Sequence, residues 1–146
     1  MLILFCGPDC SGKDSLMHEL AKLYDYQYYM SPRSPICNIV YDALYKRDNT
    51  ERVCRQLNLI EAFLRFDAFF VYVSVNPNVL EARAKARNEK HVSTADDFKK
   101  HIAVYKDTIK KCKAKFANFE KRFVTISNEG DIKAVAKRLK KRIDAI

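Results

Sequence analysis

The sequence predicts an α/β fold of three layers, an αβα sandwich with a parallel sheet of about four strands and helices on both faces. Three observations predict it. Short apolar runs alternate with helical patterns four times along the chain. The best of these runs are continuously apolar, as strands buried on both faces are. A glycine-bounded loop joins the first run directly to the first helical pattern. A chain of 146 residues suffices for one core, so one domain over residues 1–146 is expected.

Leu2 to Cys6 reads as the first, buried strand. Leu16, Leu20, Leu23 and Tyr24 recur at helical spacing, which predicts a helix from Ser15 to Tyr24. Tyr26 to Met30 is aromatic and strand-like, and Ser31-Pro32-Arg33-Ser34-Pro35 then breaks regular structure. A helix is predicted from Ile36 to about Lys46, with Ile36, Ile39, Val40, Ala43 and Leu44 inward. Asp48-Asn49-Thr50 turns and caps the next helix, whose apolar stripe is Val53, Leu57, Ile60 and Leu64.

Ala68 to Val75 is the strongest strand. Asn76 then caps a helix with Pro77 in its first turn, running to about Asn88. Glu89 to Ser93 is irregular and polar. Ser93 or Thr94 caps a long helix from Ala95, reaching Phe119 or breaking near Lys113, with Tyr105, Ile109, Cys112, Phe116 and Phe119 on one face. Arg122 to Ser127 is the last strand. Asn128 to Asp131 turns into a final helix bearing Ile132, Val135, Leu139 and Ile143.

Composition narrows the class. With 48% apolar residues the chain is globular and not disordered. No apolar run reaches membrane-spanning length, and Met1 to Phe5 is too short for a signal peptide's apolar region. A soluble, cytoplasmic protein with no membrane partner is therefore expected. The five cysteines are scattered and form no CxxC pair, which argues for reduced thiols and against zinc. His18, His91 and His101 do not suggest a metal site. The net charge of +9 admits phosphorylated substrates or nucleic acid as partners. Residues 99 to 142 carry fifteen Lys or Arg, and a solvated helical surface is the plain alternative.

The loop between the first strand and helix is Gly7-Pro8-Asp9-Cys10-Ser11-Gly12-Lys13-Asp14-Ser15. Strand, glycine-bounded loop and helix form the context of a phosphate-binding P-loop. Loop N–H groups converge on a phosphate, and the helix start adds unpaired donors and partial positive charge. Lys13 supplies a point charge to the outer phosphates. The other reading is a tight turn without a ligand. The pattern places Ser or Thr after the lysine to hold Mg²⁺. Here Asp14 stands there and Ser15 follows, so both are candidate metal ligands. In parallel sheets ligands sit beyond the carboxyl ends of strands. The P-loop, Arg33 and Asn76 all follow strand ends.

These residues resemble the thymidylate kinase branch of the nucleoside monophosphate kinases, within the P-loop NTPase fold. The resemblance rests on Gly7-x-Asp9-x-x-Gly12-Lys13, on Arg33-Ser34 with Val40-Tyr41 downstream, on Asn76-Pro77 followed by Arg83-x-x-x-Arg87, and on the Asn128 to Asp131 turn. It implies ATP and Mg²⁺ as cofactors and a deoxynucleoside monophosphate as acceptor. It also implies that Asp9 faces the acceptor sugar, that Arg33 grips the acceptor phosphate, and that Arg83 and Arg87 belong to a lid over about residues 83–95. The acid that precedes the arginine in this family is replaced by Pro32, and the Arg-Glu-Pro-Gly stretch after the first helix is missing. Two further readings stay open, a P-loop kinase acting on a hydroxyl in DNA or RNA and a non-catalytic nucleotide-binding module. A homodimer is also left open. Tyr28 and Tyr29 read as core residues first and as base-stacking residues second.

Overall fold

The computed structural model describes residues 1–146. In chain order it holds β1 (Leu2–Cys6), α1 (Lys13–Leu23), β2 (Tyr29–Ser31), α2 (Pro35–Leu44), α3 (Thr50–Arg65), β3 (Ala68–Ser74), α4 (Pro77–Ala86), α5 (Ala95–Lys115), β4 (Phe123–Ser127) and α6 (Ile132–Asp144). The four strands form one parallel sheet in the order β2-β1-β3-β4. The three-layer αβα fold is thus the one the residue pattern predicts.

Pleating explains why the central strands are apolar throughout. On β1 and β3, Ile3, Phe5, Phe69, Val71 and Val73 face α1 and α6, where they meet Leu16, Leu20, Val135 and Leu139. Leu4, Cys6, Phe70 and Tyr72 face the other way, onto Ile36 and Val40 of α2, Ile60 of α3, and Tyr105 and Ile109 of α5. A third, smaller cluster joins α4 to the start of α5 through Leu80, Ala84 and Phe98. Asn49, Asn76, Thr94 and Asp131 cap their helices, each side chain accepting from a first-turn backbone N–H.

Several boundaries differ from expectation, most by one or two residues. The second strand begins at Tyr29, because Asp25 and Tyr26 adopt φ of 51° and 58°, which no strand accommodates. Tyr28 packs against the core, whereas Tyr29 is exposed. The long helix ends at Lys115, close to the expected break near Lys113 and short of the alternative end at Phe119. Phe116 turns extended there, and Phe119 becomes fully buried, with its ring 5.4 Å from that of Phe70. A short 3-10 turn over Glu120–Arg122 then delays the last strand to Phe123. No helix is long and apolar enough to cross a membrane.

Candidate active site

The loop after β1 is shaped by two glycines that no other residue replaces. Gly7 has φ +148°, and an added Cβ would lie 2.7 Å from the Val73 carbonyl oxygen. Gly12 has φ +80°, and its Cβ would lie 2.5 Å from the Asn128 amide nitrogen. Between them Cys10 is held at φ 64°, in the left-handed region that a non-glycine residue rarely takes. Gly12 is also the N-cap of α1, and no side chain there accepts from the first-turn N–H groups. The start of α1 therefore keeps its donors for an anion.

Lys13 arches back over this loop. Its ammonium donates to the carbonyls of Gly7 at 2.8 Å and Pro8 at 3.2 Å. The Ser11 hydroxyl is buried without a hydrogen-bond partner. A glycine cradle that a Cβ would fill, an uncapped helix start, an ammonium and an orphaned hydroxyl together fit a phosphate chain. The cavity they line measures about 330 Å³, and Asp14, Ser15, Arg33 and Arg87 complete its wall. No cluster of three or more acidic, His or Cys side chains converges there. A divalent ion held by Asp14 and Ser15 would thus need phosphate oxygens to complete its shell.

A second cavity of about 490 Å³ adjoins the first and shares Asp9 and Arg33 with it. Order in the sheet brings these residues together, since β1 and β2 are neighbours and each feeds one of the two loops. The second cavity is polar. Tyr41 donates to Asp9 Oδ1 at 2.9 Å, and Asn38 donates to Gln56 at 3.1 Å. Asp42 accepts two hydrogen bonds from Arg52, at 3.0 and 2.9 Å, and lies 3.5 Å from Arg47. The Arg52 guanidinium, with Arg47 beyond it, holds the Asp42 carboxyl below the usual range. Burial first, and then the Asp9 charge, push the Tyr41 phenol up. Tyr41 therefore stays a donor across the neutral range.

Asn38, Tyr41, Asp42 and Tyr45 were not singled out as a group from the sequence. They recur at i, i+3, i+4 and i+7 along α2 and its C-cap Tyr45, opposite the apolar face. That second, polar stripe was the available signal. Gln56 and Arg52 repeat it at i, i+4 on α3.

Arg83 stands elsewhere than the expected lid. It donates to the carbonyls of Cys10 at 3.1 Å and Asn128 at 2.9 Å, and so braces the loop from behind. Asn128 supports the same loop, donating to the Ser11 carbonyl at 2.8 Å from a buried position. Its own backbone N–H is held by Ser74. Arg87 alone of the arginine pair lines the phosphate cavity, together with Glu89 from the segment after α4. That segment is tied at its far end, where Glu81 accepts from the Ala95 N–H at 2.6 Å.

Behind Asp9 lies His101 of α5, 7% exposed, with Nδ1 unpartnered. Its ring lies 6.3 Å from that of Tyr41. Burial lowers its pKa, while the nearby carboxylates of Asp9 and Asp97 oppose that shift.

No protein-family model matches the sequence, and neither does any curated protein. Solved structures do match over nearly the whole chain. The YorR protein of Bacillus subtilis, in complex with phosphorylated GDP, is similar with a TM-score of 0.70 at 20% identity, covering 99% of this chain and 96% of its own. Deoxyadenosine kinase from M. mycoides with bound dCTP is similar with a TM-score of 0.65 at 15% identity, covering 100% of both chains. The same enzyme with products dCMP and a flexible dCDP gives a TM-score of 0.63 at 13% identity, covering 100% of both chains. The chain shares the three-layer αβα fold of these structures.

Proposed function

We propose that the chain is an ATP-dependent phosphotransferase, a small deoxynucleoside monophosphate kinase of the thymidylate kinase kind. The observation that carries this reading is the junction of the two cavities. One cavity is built for a phosphate chain, the other for a polar acceptor, and the residues common to both are a carboxylate and a guanidinium, Asp9 and Arg33.

Phosphoryl transfer needs in-line positioning and neutralisation of charge on the transferred group. The loop amides and Lys13 hold the donor phosphates. Arg33 takes the acceptor's phosphate with its planar fork. Asp9, fixed by Tyr41, keeps a second carboxylate oxygen for an acceptor hydroxyl. Arg87 supplies positive charge at the mouth of the donor cavity, where charge develops. Mg²⁺, held by Asp14 and Ser15 with the phosphates, would supply further neutralisation. Deoxyadenosine kinase from M. mycoides holds dCTP, dCMP and dCDP, ligands of the deoxynucleotide class that this reading calls for.

The charge of +9 favours a second reading, in which the acceptor is a hydroxyl of a nucleic acid. One experiment separates the two. The purified protein is incubated with labelled ATP, Mg²⁺ and either a panel of deoxynucleoside monophosphates or DNA. Label on a free monophosphate is expected, and lost on the order of 10²-fold or more in Lys13→Ala. Label on DNA alone would replace the first reading by the second. Full activity in Lys13→Ala would remove the phosphate-loop assignment.

A further inference from the structure

We propose that the furrow between α5 and the edge strand β4 binds single-stranded nucleic acid, at a site separate from the phosphate loop. The furrow exists because the helices divide unevenly. After β4 the chain crosses to the α1 face as α6, so no helix follows over β4 on the α5 side. Two hollows of about 340 and 540 Å³ remain there, joined through Ser74 and Lys106.

One wall is a row of lysines on a single face of α5. Lys99, Lys106, Lys110 and Lys113 line the two hollows. At the α-helical rise they extend over about 21 Å, further than a mononucleotide's phosphates reach. Lys99 and Lys113 have distant acidic partners, Asp96 at 3.7 Å and Glu120 at 3.5 Å. The central Lys106 and Lys110 pair with no carboxylate. The one acid lining the furrow, Glu129, sits at its end and accepts from Asn76 N–H at 3.3 Å and from the Ser127 hydroxyl at 3.5 Å.

The floor mixes Tyr72, Ile109 and Phe123 with the polar Ser74 and Thr125. Phe123 is half-buried: it stacks on Phe119 with centroids 5.3 Å apart, and the Lys113 ammonium lies over the ring, 5.1 Å from its centroid. Ammonium groups spaced along a groove suit successive phosphates, and when the Lys113 ammonium turns from the ring onto a phosphate, the face of Phe123 that it leaves is free for an unpaired base. A duplex offers no free base face to such a ring. An extended peptide would instead add to the open edge of β4. That edge is partly closed, because Arg142 of α6 donates to the Thr125 carbonyl.

The test uses the full chain and a fluorescently labelled oligothymidylate. Anisotropy titration across a salt series should show affinity falling with a log–log slope of about −3, near −0.7 for each lysine–phosphate contact. The double variant Lys106→Glu with Lys110→Glu should lose at least about tenfold in affinity and about 1.4 of that slope. Phe123→Leu, which stays apolar but removes the aromatic face, should weaken single-strand binding and leave the salt slope unchanged. Saturating ATP with Mg²⁺ should displace nothing. Thermal melts of the double lysine variant should match the parent, and the Phe123→Leu variant should remain folded at the assay temperature. The proposal is overturned if the double variant binds as the parent does, if ATP competes, if duplex DNA binds equally well, or if polyglutamate displaces the oligonucleotide.

Discussion

The phenol of Tyr41 donates a 2.9 Å hydrogen bond to the carboxylate of Asp9, tying the second helix to the middle of the phosphate loop. It fixes one carboxylate oxygen and, with it, the direction of the other. A hydrogen bond to a charged group is worth about 1.5–3 kcal/mol. Tyr41→Phe should therefore cost about 10- to 100-fold in kcat/KM for the acceptor, with ATP affinity unchanged. Acceptor titration at saturating ATP measures this. Unaltered acceptor kinetics would show that Asp9 holds its place without Tyr41.

Arg83 and Arg87 lie one helical turn apart yet take different work. Arg83 bonds two loop carbonyls and holds Cys10 in its left-handed conformation. Arg83→Ala should destabilise the chain by about 2 kcal/mol, lowering Tm by about 4–8 °C, and should weaken ATP binding. Arg87→Ala should leave Tm in place and lower kcat. Calorimetry and steady-state kinetics on the pair decide the matter. The same response from both variants would contradict the division.

Much of this arrangement was legible in the residues, for identifiable reasons. A buried parallel strand is apolar on both faces, so β1 and β3 stood out. Asn76-Pro77 and Thr94 carry local start signals, so α4 and α5 began where expected. The glycine spacing announced the tight loop after β1, where Gly7 and Gly12 both take positive φ. The bracing roles of Arg83 and Asn128 were not legible, because each depends on loops brought together only by the sheet order. The start of β2 was misplaced, and the end of α5 was left open between Lys113 and Phe119, for a related reason. Tyr26 has strand propensity but sits at φ 58°, and Phe116 has helical spacing but is drawn under the sheet.

Asp14 occupies the position where the phosphate-loop pattern places a hydroxyl, and it lines the donor cavity beside Ser15. A carboxylate there adds negative charge near phosphates while offering Mg²⁺ a strong ligand. Asp14→Ala should raise the Mg²⁺ concentration needed for half-maximal activity, and Asp14→Ser should keep or raise activity. Magnesium titrations of the three proteins provide the comparison. Coincident curves for Asp14→Ala and the parent would exclude a metal role.

His101 makes stability depend on pH in a definite direction. It is buried, its Nδ1 has no partner, and burial lowers its pKa below the ordinary value of about 6.5. Above that value the imidazole is neutral in both folded and unfolded chains, and it contributes no pH dependence. As pH falls below about 6.5 the unfolded chain takes up a proton that the folded chain resists. Stability must then decline, by at most about 1.4 kcal/mol per pH unit for one proton, until the folded pKa is passed. The Asp9 and Asp97 carboxylates limit the decline by favouring the imidazolium. Urea midpoints measured from pH 7.5 to 5, in the range where histidine titrates, should fall for the parent. His101→Phe should remove that part of the slope, and Asp9→Asn should steepen it. Parallel profiles for the parent and His101→Phe would refute the assignment. A shallower profile in Asp9→Asn would place His101 outside the reach of the loop carboxylate.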